Sequence, residues 1–169
     1  SSAGFEVEHL PNHLANERFP LTAEELRQYG AVLLSDIGAN TLLLHPDTFN
    51  KSVSLPNRLS AIREYVETGG GLVMIGGYLT FQGIDGKARY AGTPVEEALP
   101  VRMLTHDDRV ETPEGSAAHV TAPDHPIVAG LPADWPPLLG YNRLIVKNDA
   151  TVVATVGGDP LVVALEYGE

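Results

Sequence analysis

The chain has 169 residues, a net charge of −11 and no cysteine. The length favours one domain with a substantial core, and no apolar run approaches the roughly 20 residues of a membrane span. The acidic balance argues against nucleic acid or an anionic membrane as a partner, because both require a basic face. The missing cysteine excludes disulfides, thiolate metal sites and thiol nucleophiles within these residues.

The first half of the chain predicts alternating strands and helices. Residues 5–9 alternate as in a short strand, and residues 22–29 begin with a capping box that predicts a short helix. Apolar runs at 31–34 and 72–75 predict strands buried on both faces, as in a parallel sheet. Between them, residues 55–66 repeat apolar side chains at helical spacing. The order strand, helix, strand predicts a right-handed crossover.

The second half predicts mostly β structure. Thr93 begins a second capping box, with Pro94 at the first helical position, and the short helix ends by Pro100. Beyond it, turns separate the predicted strands 101–104, 117–120, 141–146, 151–156 and 161–165. Gly157 and Gly158 between the last two predict a hairpin. The predicted class is therefore α/β with a β-rich C-terminal half.

The turn that follows the strand at 72–75 is the most informative place to look for a site. Gly76 and Gly77 allow a sharp exit from the strand. In open α/β sheets, ligands bind at the carboxyl edge, where we expect residues 12–13, 36–40 and 76–82 to meet. The candidate ligand-binding residues at this edge are Asp36, Asn40, Tyr78, Thr80 and Gln82. The alternative is that these side chains only brace the loops through bonds to nearby backbone.

Two further clusters carry candidate chemistry. Lys87 and Arg89 stand close together in an acidic chain, so Arg89 is a sixth candidate for ligand binding, through an anionic group. The alternative is pairing with local acids such as Asp85 or exposure to water. His106, Asp107 and Asp108 form the densest set of metal-ligand types, but we expect an exposed turn there and neither a metal nor a cofactor.

Four stretches together resemble a known family. They are Ser35–Phe49, Pro56–Leu59, Gly69–Val101 and Asp124–Pro132, with the sequences SDIGANTLLLHPDTF, PNRL, GGGLVMIGGYLTFQGIDGKARYAGTPVEEALPV and DHPIVAGLP. They resemble the class I glutamine amidotransferase-like domain of uncharacterised bacterial cytoplasmic proteins, with the ThuA-like domains as distant relatives. The resemblance implies a flavodoxin-like, mostly parallel sheet flanked by helices, and a cytoplasmic location. It also implies that residues 1–169 form one domain lacking its first strand-helix unit and its C-terminal end.

The residues do not support glutamine hydrolysis. Class I amidotransferases place a nucleophilic cysteine in a pattern like Gly-x-Cys-x-Gly-x-Gln. Aligned with residues 76–82, this pattern places Tyr78 at the cysteine and Thr80 at the second glycine, while Gly76 and Gln82 match. A thiolate is required to attack the amide carbonyl, and a phenol with a pKa of about 10 cannot replace it at neutral pH.

Three functions remain open at this point. The first is a catalytically silent amidotransferase-like domain that binds a small polar ligand or mediates assembly. The second is a hydrolase of another kind, using Asp36, His13 or residues outside this sequence. The third is an oligomerisation module built on the β-rich half, and we expect a homo-oligomer.

Overall fold

The computed structural model describes residues 4–132 and 134–168. The helices are α1 (Asn12–Arg18), α2 (Ala23–Leu26), α3 (Ala39–Leu43), α4 (Pro46–Lys51), α5 (Arg58–Glu67) and α6 (Pro94–Ala98). The strands are β1 (Ala31–Ser35), β2 (Gly71–Ile75), β3 (Val101–Arg102), β4 (Arg109–Ser116), β5 (Ala118–Val120), β6 (Leu138–Asn142), β7 (Ile145–Val146), β8 (Thr151–Val156) and β9 (Asp159–Ala164). Among the described residues, no helix has both the length and the apolar character needed to cross a bilayer.

Strands β1 and β2 pair in parallel, as the crossover pattern predicts. Val32 lies opposite Leu72, and Leu34 lies opposite Met74. The connecting helix α5 begins three residues later than predicted, because the Asn57 side chain accepts hydrogen bonds from the first free backbone N–H groups of the helix. The parallel part of the fold comprises only these two strands in the described residues. The molecule is thus a mixed α/β protein.

The two parallel strands are buried on one face only, which corrects the expectation of burial on both. Val32 and Leu34 point into the core, whereas Leu33, Val73 and Ile75 are 61%, 47% and 45% exposed. In the parallel register Leu33 lies opposite Val73, and Ile75 follows Val73 by two residues, so all three point the same way. We call these three residues the open sheet face.

The N-terminal segment differs from its prediction. Residues 5–10 form no strand, and Phe5 and Val7 are more than 70% exposed. Alternation alone does not form or bury a strand, because an isolated extended segment is at best marginally stable. The expectation that residues 1–169 lack a first strand-helix unit and a C-terminal end stays a prediction.

A buried arginine connects three helices of the α/β half. Arg58, the first residue of α5, is 1% exposed. It donates to the carbonyl oxygens of Ala15, Asn16 and Phe19 at the end of α1, and to that of Thr41 in α3. Burial lowers the pKa of Arg58. The four carbonyl groups satisfy the buried cation, so this contact fixes the packing of α1, α3 and α5.

The C-terminal half is antiparallel throughout its described residues. β3 pairs with β7, β4 with β6, and β5, β8 and β9 form a three-stranded sheet. The predicted hairpin between β8 and β9 is confirmed, with Gly157 and Gly158 both at positive φ in its turn. The capping box at α6 does not form, because the Thr93 hydroxyl donates to the Tyr90 carbonyl and Glu96 accepts from the Gly92 N–H instead.

Candidate functional site

The loops after β1 and β2 meet at the carboxyl edge of the parallel pair, as predicted. The Asp36 carboxylate accepts a hydrogen bond from the Leu79 N–H at 3.1 Å. A Cβ atom at Gly77 would lie 2.4 Å from the same carboxylate, so any larger residue there would have to displace the Asp36 side chain from this bond. Asn12, at the start of α1, also reaches this edge, because its amide donates to the Asp36 carbonyl at 3.4 Å. We call loops 36–40 and 76–91 the polar edge.

A second set of bonds joins the same two loops further along the chain. The Ala39 N–H donates to the Ala88 carbonyl at 2.8 Å, and the Tyr90 hydroxyl donates to the Ile37 carbonyl at 2.7 Å. Tyr90 is fully buried, and this burial raises the pKa of its phenol. The phenol is therefore a neutral structural donor at physiological pH.

Two buried residues of the β-rich half hold the turn after β2. Asp108 is 1% exposed, and its carboxylate accepts from the N–H groups of Gln82 and Gly83 at 2.8 and 2.9 Å. The Asn142 amide donates to Asp108 at 2.7 Å, while its oxygen accepts from the Gly77 N–H at 2.9 Å. The carboxylate and the amide thus replace the regular backbone bonds that the turn lacks.

Sequence reasoning missed these two residues. The sequence places Asp108 in a polar triplet that predicts an exposed turn, which the structure corrects for this residue. Asn142 lies 34 positions away and carries no motif. The described residues contain no group of three or more His, Cys, Asp or Glu side chains that could hold a metal. The neighbouring Asp107 instead accepts from the Asp85 N–H at 2.8 Å.

Tyr78, at the position aligned with the amidotransferase cysteine, lies beneath an arginine. The Arg109 guanidinium stands 4.7 Å from the centre of the Tyr78 ring and forms two hydrogen bonds with the Asp107 carboxylate. Hydrogen bonding from Arg109 holds the pKa of Asp107 well below its usual range, and the same pair raises the pKa of Arg109. The Tyr78 ring remains 55% exposed at the molecular surface.

Three of the six predicted site residues line one polar cleft. The cleft has a volume of about 530 Å³, and it is lined by Asn40, Gln82, Asp85, Gly86, Arg89, Ala91 and Thr105. Thr80 is fully buried, and its hydroxyl donates to the Ile75 carbonyl at 2.7 Å, so its role here is structural. Asp36 and Tyr78 stand at the edge but do not line the cleft.

The two cations of the 85–89 loop differ in whether they have an acidic partner. Lys87 pairs with Asp85 at 2.8 Å, which is the local pairing considered above. Arg89 makes no ion pair or hydrogen bond within residues 4–132 and 134–168. His13, offered with Asp36 as hydrolytic machinery, is exposed on α1, and no hydrogen bond joins these two side chains.

Backbone strain concentrates around the cleft. Five described residues other than glycine have positive φ, and four of them lie in the polar edge: Asp36, Phe81, Asp85 and Arg89. Such conformations cost about 1–3 kcal/mol each and persist where surrounding bonds over-determine them, commonly at functional sites. The bonds to Asp108 and Asn142 supply that surrounding support.

Comparison with known proteins identifies the family. A family model described as "Putative glutamine amidotransferase" (GATase1_like) matches residues 1–169. Among curated proteins, none matches the chain. The chain belongs to this glutamine amidotransferase-like family.

Solved structures of two Salmonella proteins resemble the chain closely. They are Cytoplasmic Protein STM3548 from Salmonella typhimurium, with a TM-score of 0.94, and Cytoplasmic Protein STM1381 from Salmonella typhimurium LT2, with a TM-score of 0.93. Each is 48% identical to this chain, and the match covers 98% of this chain and 67% of the solved chain. About a third of each solved chain therefore lies outside the matched region.

Proposed function

We propose that this member of the glutamine amidotransferase-like family binds a small polar ligand in the cleft and does not hydrolyse glutamine. The observation that carries the proposal is the convergence of Asn40, Gln82 and Arg89 on one cleft at the carboxyl edge of the parallel strands. This edge is where ligands bind in α/β sheets generally. The lining is almost wholly polar, which suits a ligand that is itself polar.

The absence of a thiol supports the non-hydrolytic part of the proposal. The chain has no cysteine, and Tyr78 stands at the position aligned with the nucleophile. Its phenol is a weak nucleophile at neutral pH. We expect no ammonia release from glutamine above a heat-treated control, and no specific labelling by a glutamine-analogue electrophile. Labelling at one residue would refute this part of the proposal.

Ligand binding is tested separately from catalysis. Glutamine, sugars and phosphate compounds are titrated into the chain while backbone amide NMR signals are followed. We expect shifts at residues 82–91 for at least one class, reduced in Asn40→Ala. Asn50→Ala is the matched control, because Asn50 is also an exposed helical asparagine, on α4, and does not line the cleft. Shifts that are absent from the cleft with every class would contradict the proposal.

Assembly is a second candidate function, favoured by the open sheet face. Leu33, Val73 and Ile75 expose apolar surface on a parallel pair, and parallel strands are normally covered on both faces. We propose that this face is covered either by further strands and helices of a flavodoxin-like domain or by a second copy of the chain. Light scattering across a concentration series distinguishes the two, since only the second gives a dimer.

The proposed location is the cytoplasm. Both Salmonella proteins are named as cytoplasmic, and they share 48% identity with this chain. Fluorescence of a tagged chain in a bacterial cell tests this location.

A further inference from the structure

The amide nitrogen of the Gln82 side chain has no hydrogen-bond partner in the described part of the chain. The residue is 7% exposed, and its amide oxygen accepts from the Ala91 N–H at 3.0 Å. Because that oxygen must face Ala91, the amide nitrogen faces the other way, where Gln82 lines the cleft. No hydrogen-bond partner for this nitrogen exists among the described residues. The nitrogen is open to the cleft and not sealed in the core, since Arg63 Nε is the one buried side-chain N or O atom without a partner in the described residues. Its N–H groups can therefore donate to water or to a ligand in the cleft.

Arg89 is presented at the same cleft by a rigid backbone. The residues on either side, Ala88 and Tyr90, are fully buried, and their N–H groups donate to the carbonyls of Gln82 and Phe81 at 2.9 and 3.1 Å. These bonds hold Arg89 at a φ of 63°. An exposed side chain gives no packing reason for such a conformation, whereas a required direction of the guanidinium does.

The charges around the cleft select the ligand chemistry. Asp85 lines the cleft, but its charge is compensated by Lys87 at 2.8 Å. Arg89 is then the one unpaired cation that lines it within the described ranges. A guanidinium presents a planar fork of donors that matches a carboxylate in two parallel bonds. A phosphate dianion would bring a second negative charge into a cleft with a single unpaired cation, in a chain of net charge −11.

We infer that the ligand carries a carboxylate, which pairs with Arg89, and a neutral oxygen, which accepts a hydrogen bond from the Gln82 amide. This inference rests on the proposed function, because it names the class of ligand for the same cleft. The two donors differ in kind: one is a charged guanidinium, and the other is a neutral amide. A small molecule that satisfies both therefore needs two different acceptors.

The test compares three small probes by NMR on the whole chain. N-acetylglycine has a carboxylate and a neutral carbonyl, N-acetylglycinamide lacks only the charge, and glycerol 3-phosphate supplies a phosphate. We expect N-acetylglycine to bind in the millimolar range and to shift the side-chain signals of Gln82 and Arg89, with the amide at least about tenfold weaker. Arg89→Gln is expected to remove this difference.

Lys51→Gln is the matched control, because it removes an exposed cation that is paired with Asp47 on α4, outside the polar edge, and leaves the pairing of Asp85 with Lys87 in place. It should leave the preference for the carboxylate intact. Equal binding of N-acetylglycine and its amide, tighter binding of the phosphate, or an unchanged preference in Arg89→Gln would overturn the carboxylate inference while leaving a polar ligand in place. No shift at the cleft with any probe would overturn the inference and the proposed function together.

Discussion

The polar edge and the open sheet face belong to the same two strands, yet they are completed in opposite ways. At the edge, buried side chains from the distant β-rich half satisfy the turn after β2: Asp108 and Asn142 are 1% and 6% exposed. On the face, Leu33 is 61% exposed and no described element covers it. Within the described residues, the buried turn at the edge has its hydrogen-bond partners, whereas the apolar side chains of the face have no cover.

The difference shows that two kinds of interaction stabilise the two regions. Buried hydrogen bonds to a charged acceptor hold the edge, and losing one partner leaves several groups unsatisfied at once. The face would gain stability only by removal of apolar surface from water, about 25 cal/mol per Å². Binding at the edge can therefore rely on a preformed site, and any assembly through the face depends on what covers it.

Removal of the Asp108 carboxylate should have the largest effect. Asp108→Ala leaves the N–H groups of Gln82 and Gly83 and the Asn142 amide without their acceptor. We expect the free energy of unfolding to fall by about 4 kcal/mol, measured by urea denaturation. Asp85→Asn, an exposed change in the loop that Asp108 binds, should cost less than about 0.5 kcal/mol. Similar losses in the two variants would show that the turn does not depend on buried bonds.

Two neighbouring leucines of β1 test the face directly. Leu34 is 3% exposed and Leu33 is 61% exposed. Replacing each by alanine therefore compares the loss of the same side-chain atoms in the core and on the open sheet face. Leu34→Ala should lower the free energy of unfolding by about 3 kcal/mol, and Leu33→Ala by less than about 0.5 kcal/mol. If Leu33→Ala costs as much as Leu34→Ala, the face is covered in solution. A melting temperature that rises with protein concentration would then identify a second copy as the cover.

Glycine at position 89 should separate binding from stability. Arg89→Gly relieves a φ of 63°, and we expect the free energy of unfolding to rise by up to about 1 kcal/mol while carboxylate binding is lost. Ser52→Gly is the matched control, since Ser52 has a φ of 54° at the end of α4, outside the polar edge. It should gain stability similarly and bind normally. A destabilised Arg89→Gly variant would show that the Arg89 side chain supports the fold.

Apolar runs bounded by glycine predicted the central strands and the meeting of their loops. Residues 31–34 and 72–75 lie in β1 and β2, and strands that share a direction bring loops 36–40 and 76–82 to one edge. Three of the six candidate residues accordingly line the cleft. The flavodoxin-like sheet stays a prediction, since only two parallel strands are described.

The short helices, the role of Asp108 and the open sheet face have no sequence pattern that predicts them. Helices α3 and α4 have 5 and 6 residues, which is too short for a helical repeat of apolar positions. Asp108 accepts hydrogen bonds from the backbone N–H groups of Gln82 and Gly83. Every residue except proline has such a group, so no side chain in the sequence marks them as the partners of Asp108. An apolar run also does not say how many of its faces find a cover, so Leu33 resembles Leu34 in sequence and differs from it in the fold.

Acid should produce the smallest effect, confined to the Arg109 contact at the polar edge. The hydrogen bonds from Arg109 lower the pKa of Asp107 in the folded chain, so the contribution of Asp107 to stability is present above the ordinary aspartate value of about 3.9. It is lost as the pH falls below that value toward the folded pKa. A carboxyl ¹³C titration should show Asp107 ionised below its ordinary range. Arg109→Gln should raise the pKa of Asp107 toward that range, while the backbone N–H groups of Asp85 and residue 109 keep part of the lowering. Arg102→Gln removes an exposed arginine that makes no contact with Asp107 and should leave the titration unchanged. An Asp107 that titrates normally in the unaltered chain would mean that the guanidinium over Tyr78 is not held by this carboxylate in solution, and that the Arg109 contact leaves the polar edge as open to water there as the open sheet face is.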